Sequence, residues 1–323
     1  MSEVAPGLIT VFGGTGFIGS QVVQALARRG WRIRIACRRP DRAWKLQTAG
    51  TVGQIQAMRC DAADPAQAAE AIHGADAVIN LIGILYETPG RKFEALHVGV
   101  SRTIAEACAV AGARLVQMSA LGANPESDST YSRTKAAAEM AVREVKPDAI
   151  IVRPSVVFGP GDDFLNTFAK MAQTAPVLPL IGGGQTKFQP VYVGDVAAAI
   201  ATAIGDTASD GQTYELGGPA VMTFEDILKL VARETYREPG FAPLPFPVAK
   251  AIGALAQITA VVGIKPVLTE DQVVLLQSDN VVSDGAAGLA DLGIEPTGIE
   301  AVAGSYLWRY RKGGQFAAEK AAA

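Results

Sequence analysis

Cysteine and histidine are scarce in this chain of 323 residues. Its three cysteines, Cys37, Cys60 and Cys108, are odd in number and form no C-x-x-C pair, which argues against a disulfide framework and against a zinc site. Its two histidines, His73 and His97, are too few for a histidine-based metal centre. We therefore expect no bound metal, and we expect the chemistry of the protein to come from an organic cofactor.

An excess of charge of one sign is also lacking. The 29 basic and 32 acidic residues leave a net charge of −3, which argues against general binding of nucleic acid, since that binding needs a basic surface. Apolar residues make up 49% of the chain and charged residues 19%, so the chain buries a sizeable core and is not disordered. The length suits two domains, or one large α/β unit with an added lobe.

Long hydrophobic runs and a targeting leader are missing as well. One uncharged apolar stretch of note, residues 251–264, has 14 residues, fewer than the ~20 that span a bilayer. It predicts either a helix that packs on its own domain or an exposed apolar helix that meets a partner protein or a membrane surface. Only seven residues precede the first apolar run, and they contain no basic, serine-rich leader. We therefore expect a chain that is made and kept in a reducing cytosol.

The first half of the chain alternates strand-like and helix-like segments. Helical patterns lie around residues 22–27 and at 66–72, 93–111 and 131–145, between predicted strands at residues 8–12, 32–36, 55–59, 77–82, 114–118 and 149–152. Strands separated by helices of this length predict right-handed βαβ units and an α/β fold with a doubly wound parallel sheet.

The second half is richer in proline and glycine and predicts a smaller C-terminal α/β lobe. We place the sheet domain at residues 1–153 and the lobe at residues 154–316, interleaved with the sheet around residues 188–204. A low-complexity tail follows at residues 317–323, and we expect it to be mobile.

A glycine-rich turn, Gly13-x-x-Gly16-x-x-Gly19, follows the first predicted strand and opens the first helix. Gly13 permits the tight turn, Gly16 lets the backbone approach a pyrophosphate, and Gly19 lets the helix pack close to the strand. The helix N-terminus also offers unpaired N–H groups to phosphates. This context predicts a Rossmann domain that binds a dinucleotide. The predicted contacts are the three glycines together with Thr15, Phe17 and Ile18.

The second strand indicates which dinucleotide binds. An NAD site needs an acidic residue about 20 residues after the glycines, to hold the ribose 2′-hydroxyl, but no Asp or Glu lies between Glu3 and Asp41. Arg38 and Arg39 stand there instead, and guanidinium groups suit a 2′-phosphate. The sequence therefore favours NADP(H). The alternative is a solvated basic face or a docking patch for an acidic partner, to which we assign Arg28, Arg29 and Arg32.

Two residues near this site have open roles. Asp61 follows the third strand, next to Ala62, where its carboxylate would accept a hydrogen bond from the adenine amino group or would cap a helix. Cys37 adjoins the two arginines, so it has either a lowered thiol pKa or the ordinary character of a buried cysteine at a strand end.

Ser119, Tyr131 and Lys135 form a possible proton-transfer group. Tyr131 and Lys135 are four residues apart, so they share one face of a helix, and the ammonium would lower the pKa of the phenol. Tyr131 would then exchange a proton with a carbonyl or carbinol while the nicotinamide exchanges hydride. Ser119 would hold the same oxygen, and Lys135 would bond the nicotinamide ribose. All three are predicted cofactor contacts, and they are catalytic residues only if the protein is active.

These motifs resemble the short-chain dehydrogenase/reductase superfamily, in its extended or atypical branch. The resemblance covers residues 8–204 and includes the glycine turn, Asp61, Tyr131-x-x-x-Lys135 and the segments 80–83 and 153–161. In that superfamily the loop at Pro154 lies against the nicotinamide. The resemblance therefore implies further contacts from Leu81, Ile82, Gly83, Pro154 and Val157.

A narrower resemblance is carried by residues 163–168, 187–195 and 244–247. They are similar to the Rossmann-type accessory subunits of respiratory complex I, the NADH:ubiquinone oxidoreductase. Members of that family bind NADP(H) tightly, sit on the peripheral arm near the membrane, and support assembly and stability without established turnover.

The resemblance, with the missing leader, implies a bacterial subunit at the cytoplasmic face of the inner membrane. Its partners would be other complex I subunits, with membrane-surface contact through residues 244–264 and no transmembrane helix. Further docking candidates are Phe246 and residues 306–310. Two departures from active enzymes argue for little turnover: Ser119 has no serine neighbour, and residues 97–100 lack the asparagine-containing stretch. This favours a packed histidine at His97 over the alternative of a proton relay. The alternatives are a free-standing NADPH-dependent reductase, dehydratase or epimerase that uses Tyr131 and Lys135, and a redox sensor in which NADPH alters partner binding.

Overall fold

A computed structural model describes residues 4–262 and 265–317 of the chain. The last two residues of the predicted apolar segment, 263–264, and residues 318–323 of the predicted tail lie outside the described residues. The described part forms two compact units. Within the described residues, the first comprises residues 4–154, 193–216 and 283–295, and the second comprises residues 155–192, 217–262, 265–282 and 296–317.

Strands and helices alternate along the first half, as predicted. The strands are β1 (Leu8–Phe12), β2 (Arg32–Cys37), β3 (Ile55–Arg59), β4 (Ala77–Asn80), β5 (Arg114–Met118), β6 (Ile150–Pro154), β7 (Val157–Phe158), β8 (Val177–Ile181), β9 (Lys187–Phe188), β10 (Val191–Tyr192), β11 (Thr213–Leu216), β12 (Met222–Thr223) and β13 (Gly240–Leu244). The α-helices are α1 (Phe17–Arg28), α2 (Trp44–Gln47), α3 (Pro65–Ile72), α4 (Val100–Ala111), α5 (Thr130–Val145), α6 (Phe164–Thr174), α7 (Val193–Ile204), α8 (Phe224–Glu234), α9 (Phe246–Gln257), α10 (Glu270–Leu275) and α11 (Ile299–Leu307).

The first unit is built on a seven-stranded sheet in the order β11-β6-β5-β4-β1-β2-β3. Every neighbouring pair in it is parallel. The strand order reverses between β1 and β4, and in such sheets ligands bind outside the carboxyl ends of the strands at this point. The predicted doubly wound Rossmann sheet is confirmed.

Helices cover both faces of this sheet. On one face, side chains of α3, α4 and α5 share a buried apolar cluster with β1, β2, β4, β5 and β6. Elsewhere in the unit α1 packs against α7, which comes from the separate segment 193–204. All four side chains of β4 are buried, which explains why this strand is almost wholly apolar.

The predicted helix over residues 93–111 is present, and its first part is a π-helical turn, Glu94–Gly99, that continues directly into α4. Such turns mark local insertions in a helix and have no sequence pattern of their own.

The second unit has a separate apolar core, which includes Phe158, Leu165, Phe188 and Phe224. Its strands pair two by two, as parallel β7–β10, antiparallel β9–β12 and parallel β8–β13. Together with α6 and α8–α11 they give the predicted smaller α/β lobe.

The apolar segment of the second unit is buried at some positions and exposed at others, so its contact with a partner or a membrane surface stays a prediction. Ala249 and Gly253 of α9 are buried, and a β-carbon at Gly253 would lie 2.8 Å from the Glu270 backbone nitrogen, so this face packs on its own unit. On other positions of α9, Val248 and Leu255 are 48% and 69% exposed. Within residues 4–262 and 265–317, no helix is both long enough and apolar enough to span a bilayer.

Candidate functional site

The turn between β1 and α1 is sterically restricted to glycine. Gly13 has a positive φ of 76°, and a β-carbon there would lie 3.0 Å from the Leu81 carbonyl carbon. A β-carbon at Gly19 would lie 2.2 Å from the Gly13 carbonyl oxygen. The Gly16 N–H donates to that same oxygen at 3.0 Å, which closes the turn. The backbone therefore forms a shallow cradle that any larger side chain would fill.

The N-terminus of α1 faces this cradle without a side-chain cap. Gly16 is the N-cap residue, it makes no capping hydrogen bond, and the first turn contains no acidic residue. The first N–H groups of a helix have no intrahelical acceptors, and the helix dipole is positive at this end. Thr15, Phe17 and Ile18 are half-buried around the turn. These features fit a pyrophosphate, which Gly13, Gly16 and the first turn of α1 would hold.

Arg38 and Arg39 follow β2 and are exposed. Arg39 Nη2 lies 3.0 Å from Asp41 Oδ2, whereas Arg38 has no ion pair among the described residues. The Arg39 hydrogen bond holds the pKa of the Asp41 carboxyl below its usual range. The two guanidinium groups therefore differ, because only Arg39 has a counter-ion.

Two other arginines, Arg29 directly after α1 and Arg34 in β2, serve the fold. Arg29 donates to the Ala201 carbonyl at 2.8 Å and to Thr202 Oγ1 at 2.7 Å. Arg34 donates to the Ala71 carbonyl at 2.6 Å and to the His73 carbonyl at 2.9 Å, where it bonds the last carbonyls of α3. The exclusion of Arg29 from the cofactor contacts agrees with these bonds.

Asp61 does not cap α3. Its Oδ1 accepts the Ala63 N–H at 3.2 Å, whereas Asp64 caps the helix by accepting the Ala66 N–H at 2.9 Å. The capping alternative for Asp61 is therefore wrong. Its bond to adenine stays a prediction, as does the contact from the buried neighbour Ala62.

A buried amide positions the chain after β4. Asn80 Nδ2 donates to Gln117 Oε1 at 2.9 Å and to Ser101 Oγ at 3.2 Å, and its Oδ1 accepts the Ile82 N–H at 3.1 Å. These bonds hold residues 81–83 beside the glycine turn, where Leu81 contacts Gly13. The importance of Asn80 is visible in the sequence only as a polar residue at the end of an apolar strand.

The structure brings Tyr131, Lys135 and Gly83 together at the carboxyl edge of β4 and β5, where Ser119 directly follows the β5 residue Met118. Lys135 Nζ donates to the Met118 carbonyl at 3.3 Å and lies 5.8 Å from the centre of the Tyr131 ring. A β-carbon at Gly83 would lie 3.4 Å from the same nitrogen. Burial lowers the pKa of Lys135 to about 8. The ammonium is thus positioned beside the phenol as the Y-x-x-x-K spacing predicts.

Ser119 carries an unpaired polar atom at this place. It directly follows β5, is 3% exposed, and its Oγ has no hydrogen-bond partner among the described residues. Buried hydroxyl groups are normally bonded, so an orphaned one calls for a ligand or another functional reason. The donor set of Ser119, Tyr131 and Lys135 fits the nicotinamide half of a dinucleotide. A bound nicotinamide would supply hydride, and these residues would orient the reacting oxygen and move its proton.

His97 is a neutral core residue. Its Nε2 accepts the Ile84 N–H at 3.2 Å, so the ring proton lies on Nδ1, 3.0 Å from Thr134 Oγ1. Burial, reinforced by the charge of Lys135, lowers the pKa of His97 to about 3. Its ring packs edge-on against that of Tyr131, with 5.5 Å between centres. These bonds are those of a packed histidine that supports Tyr131.

The remaining predicted residues are placed as follows. Pro154 ends β6, and its carbonyl accepts the Leu121 N–H at 3.0 Å. Val157 lies on β7 in the second unit. The nicotinamide contacts of both stay predictions. Burial raises the pKa of the Cys37 thiol, so the alternative of a lowered pKa is wrong.

Comparisons with known proteins show what this chain is similar to. The family model described as the NAD dependent epimerase/dehydratase family matches residues 9–217. Mitochondrial NADH dehydrogenase [ubiquinone] 1 alpha subcomplex subunit 9 of Arabidopsis thaliana is 38% identical over 97% of this chain and 80% of its own length. A ceramide reductase of Caulobacter vibrioides is 29% identical over 79% of each chain. A similar fold occurs in an Escherichia coli NADPH-dependent quinone oxidoreductase solved with NADPH, at a TM-score of 0.71, 19% identity, and coverage of 93% of this chain and 99% of that chain.

Proposed function

The chain belongs to the NAD dependent epimerase/dehydratase family and to the family of the mitochondrial complex I subunit, and from this we propose that it is an NADP(H)-binding accessory subunit of a bacterial respiratory complex I. The observation that carries the proposal is the extent of the likeness. A shared nucleotide-binding core would account for similarity over residues 9–217, but the likeness to the complex I subunit covers nearly the whole chain.

The basic end of β2 supports NADP(H) over NAD(H). Arg38 is exposed and has no ion pair among residues 4–262 and 265–317. No acidic residue lies between Glu3 and Asp41. The carboxylate that usually accepts a hydrogen bond from the ribose 2′-hydroxyl is therefore missing from the end of β2. A guanidinium in this place matches the charge of a 2′-phosphate.

A bound nucleotide would act as part of the fold, with little or no turnover. A ligand that binds only the folded state stabilises it by RT ln(1 + [L]/Kd), which is about 4 kcal/mol at a thousandfold excess over Kd. The cradle, Ser119 and Lys135 lie on several different strands and helices of the first unit, so a nucleotide bound to all of them would connect these elements. The nucleotide would make the first unit more rigid, and other complex I subunits would recognise the surface of this unit.

The second unit supports peripheral attachment at the cytoplasmic face of the inner membrane. Residues 239–269 contain Lys250 and Lys265 and no acidic residue. Large apolar side chains in this stretch are exposed, among them Ile252 at 46% and Ile258 at 63%. Exposed apolar residues in a mildly basic segment suit an interface with the membrane arm or the lipid surface beside it.

The test is co-migration with the respiratory complex. A tagged chain is expressed in its own cells, membranes are solubilised in a mild detergent, and blue-native gel bands are identified by mass spectrometry. The proposal predicts that the tagged chain co-migrates with complex I subunits. It also predicts that Gly16→Asp, which places a carboxylate in the cradle, weakens this association while Tyr131→Phe leaves respiration unchanged. A chain found only outside the membrane fraction would contradict the proposal.

A second candidate function is that of a free-standing NADPH-dependent reductase. The orphaned Oγ of Ser119 and the pairing of Tyr131 with the buried Lys135 favour it, as does the likeness to a ceramide reductase. The discriminating experiment compares metabolites in cells with the wild-type chain and with Tyr131→Phe. Loss of one conversion with complex I intact would favour the enzyme.

A further inference from the structure

The two arginines after β2 are not equivalent, because one of them already has an anionic partner. Asp41 lies in the 3₁₀ turn Pro40–Ala43, directly after the strand end. Its Oδ2 lies 3.0 Å from Arg39 Nη2, and the two side chains are 63% and 62% exposed. Arg38 is exposed and makes no ion pair within the described part of the chain.

A 2′-phosphate would compete with Asp41 for Arg39. The guanidinium fork would have to leave the carboxylate, or share its donors with it, to bond the phosphate oxygens. The carboxylate would also repel the phosphate, since both are negative at neutral pH. A ribose without the 2′-phosphate does not compete for Arg39 and is not repelled by Asp41, because its hydroxyl groups can donate hydrogen bonds to a carboxylate.

We propose that Asp41 is a specificity-determining residue, which engages Arg39 and thereby limits the preference of the site for NADP(H) over NAD(H). This inference rests on the proposed function, since it takes the nucleotide to bind along the carboxyl edge of β1 and β2. Arg38 then attracts the 2′-phosphate independently of Asp41. Arg39 supplies an additional contact whose strength Asp41 sets.

The exposure of the Arg39–Asp41 pair indicates a small effect. An ion pair between two exposed side chains contributes little, because water and salt screen it. Removal of the Asp41 charge should therefore tighten NADPH binding by up to about fivefold. Binding of NADH should change by less than about twofold, since it carries no 2′-phosphate.

The experiment measures Kd for NADPH and NADH on the full chain by nicotinamide fluorescence titration. The variants are Asp41→Asn, Arg39→Ala, the double variant, and Glu106→Gln as a control. Glu106 is exposed in the second half of α4, which runs away from the carboxyl edge of the sheet, so this control removes the same charge far from the site. Asp41→Asn should raise the NADPH preference, Glu106→Gln should not, and Asp41→Asn should gain twofold or less when Arg39 is already alanine.

Three results would overturn the inference: an unchanged preference in Asp41→Asn, an equal gain for NADH, or a full gain in the absence of Arg39. Each leaves the proposed function intact if the wild-type chain still binds NADPH. A wild-type chain that binds neither dinucleotide would overturn the inference together with the proposed cofactor, so the two failures are distinguishable.

Discussion

Replacement of Ser119 by alanine should weaken nucleotide binding without destabilising the free protein. In the free protein, Ser119 Oγ is buried with no partner among the described residues, and an unsatisfied buried polar group costs about 1–3 kcal/mol. The packing contacts of the hydroxyl oxygen offset part of this free-energy cost. Ser119→Ala should therefore leave the free energy of unfolding unchanged or raise it by up to about 1 kcal/mol. In the bound protein it removes one hydrogen bond to the nucleotide, and Kd for NADPH should rise about fivefold.

Ser101→Ala is the matched control. Ser101 is also fully buried, but its Oγ accepts from Asn80 Nδ2 at 3.2 Å. Its replacement should lower the free energy of unfolding by about 1 kcal/mol or more, because it leaves a buried amide proton unpaired. Urea unfolding followed by circular dichroism, with and without NADPH, measures both quantities. The reasoning is refuted if Ser119→Ala destabilises the free protein as much as Ser101→Ala does and leaves Kd unchanged.

Further predictions concern the turn, pH and thiol reactivity. A β-carbon at Gly19 would lie 2.2 Å from a carbonyl oxygen of the turn and one at Gly16 would lie 3.2 Å from it, so Gly19→Ala should destabilise the protein by about 1–3 kcal/mol in urea. Gly16→Ala should mainly weaken NADPH binding, and equal stability losses would argue against this. Because the pKa of His97 falls from 6.5 to about 3 on folding, the unfolded chain binds the extra proton, and stability should drop as pH falls from about 6.5 to about 3, by at most about 1.4 kcal/mol per pH unit. His97→Gln should flatten this slope, while His73→Gln, at an exposed site, should keep it. Iodoacetamide should modify Cys37 slowly, because burial raises its thiol pKa. Cys37 should still react before the other two cysteines, which are buried. Mass spectrometry measures the order of modification, and the opposite order would contradict this prediction.

The sheet could be predicted from the sequence because its signals are local and agree with one another. Apolar strands such as β4, fully buried on both faces, alternate with helices of suitable length. A β-carbon would lie only 3.0 Å from a backbone atom at Gly13 and 2.2 Å from one at Gly19. Both positions therefore require glycine, and the spacing of the glycines identifies the turn. The Tyr131 and Lys135 pair follows from helix periodicity alone, and the structure places the two side chains together.

What could not be predicted depends on contacts between distant parts of the chain. Residues 283–295 join the first unit, where Glu215 Oε2 accepts the Ser283 N–H at 2.9 Å and the Glu215 N–H donates to the Ala287 carbonyl at 2.8 Å. The hydrophobic periodicity of the sequence does not predict such bonds. The same is true of Arg34, which looks like one more basic residue of the cofactor site but bonds the end of α3. The unpaired state of Ser119 Oγ is likewise a property of its surroundings, which the sequence does not specify.

The most direct test of the account is the nucleotide content of native material. Complex I is isolated from the cells with this chain in place, the protein is denatured, and the released nucleotides are identified and quantified by mass spectrometry. The account predicts NADP(H) at about one molecule per copy of this chain, and its loss from complexes that carry Gly16→Asp. Recovery of NAD(H) in its place, of no nucleotide, or of complexes that lack the chain altogether would contradict it.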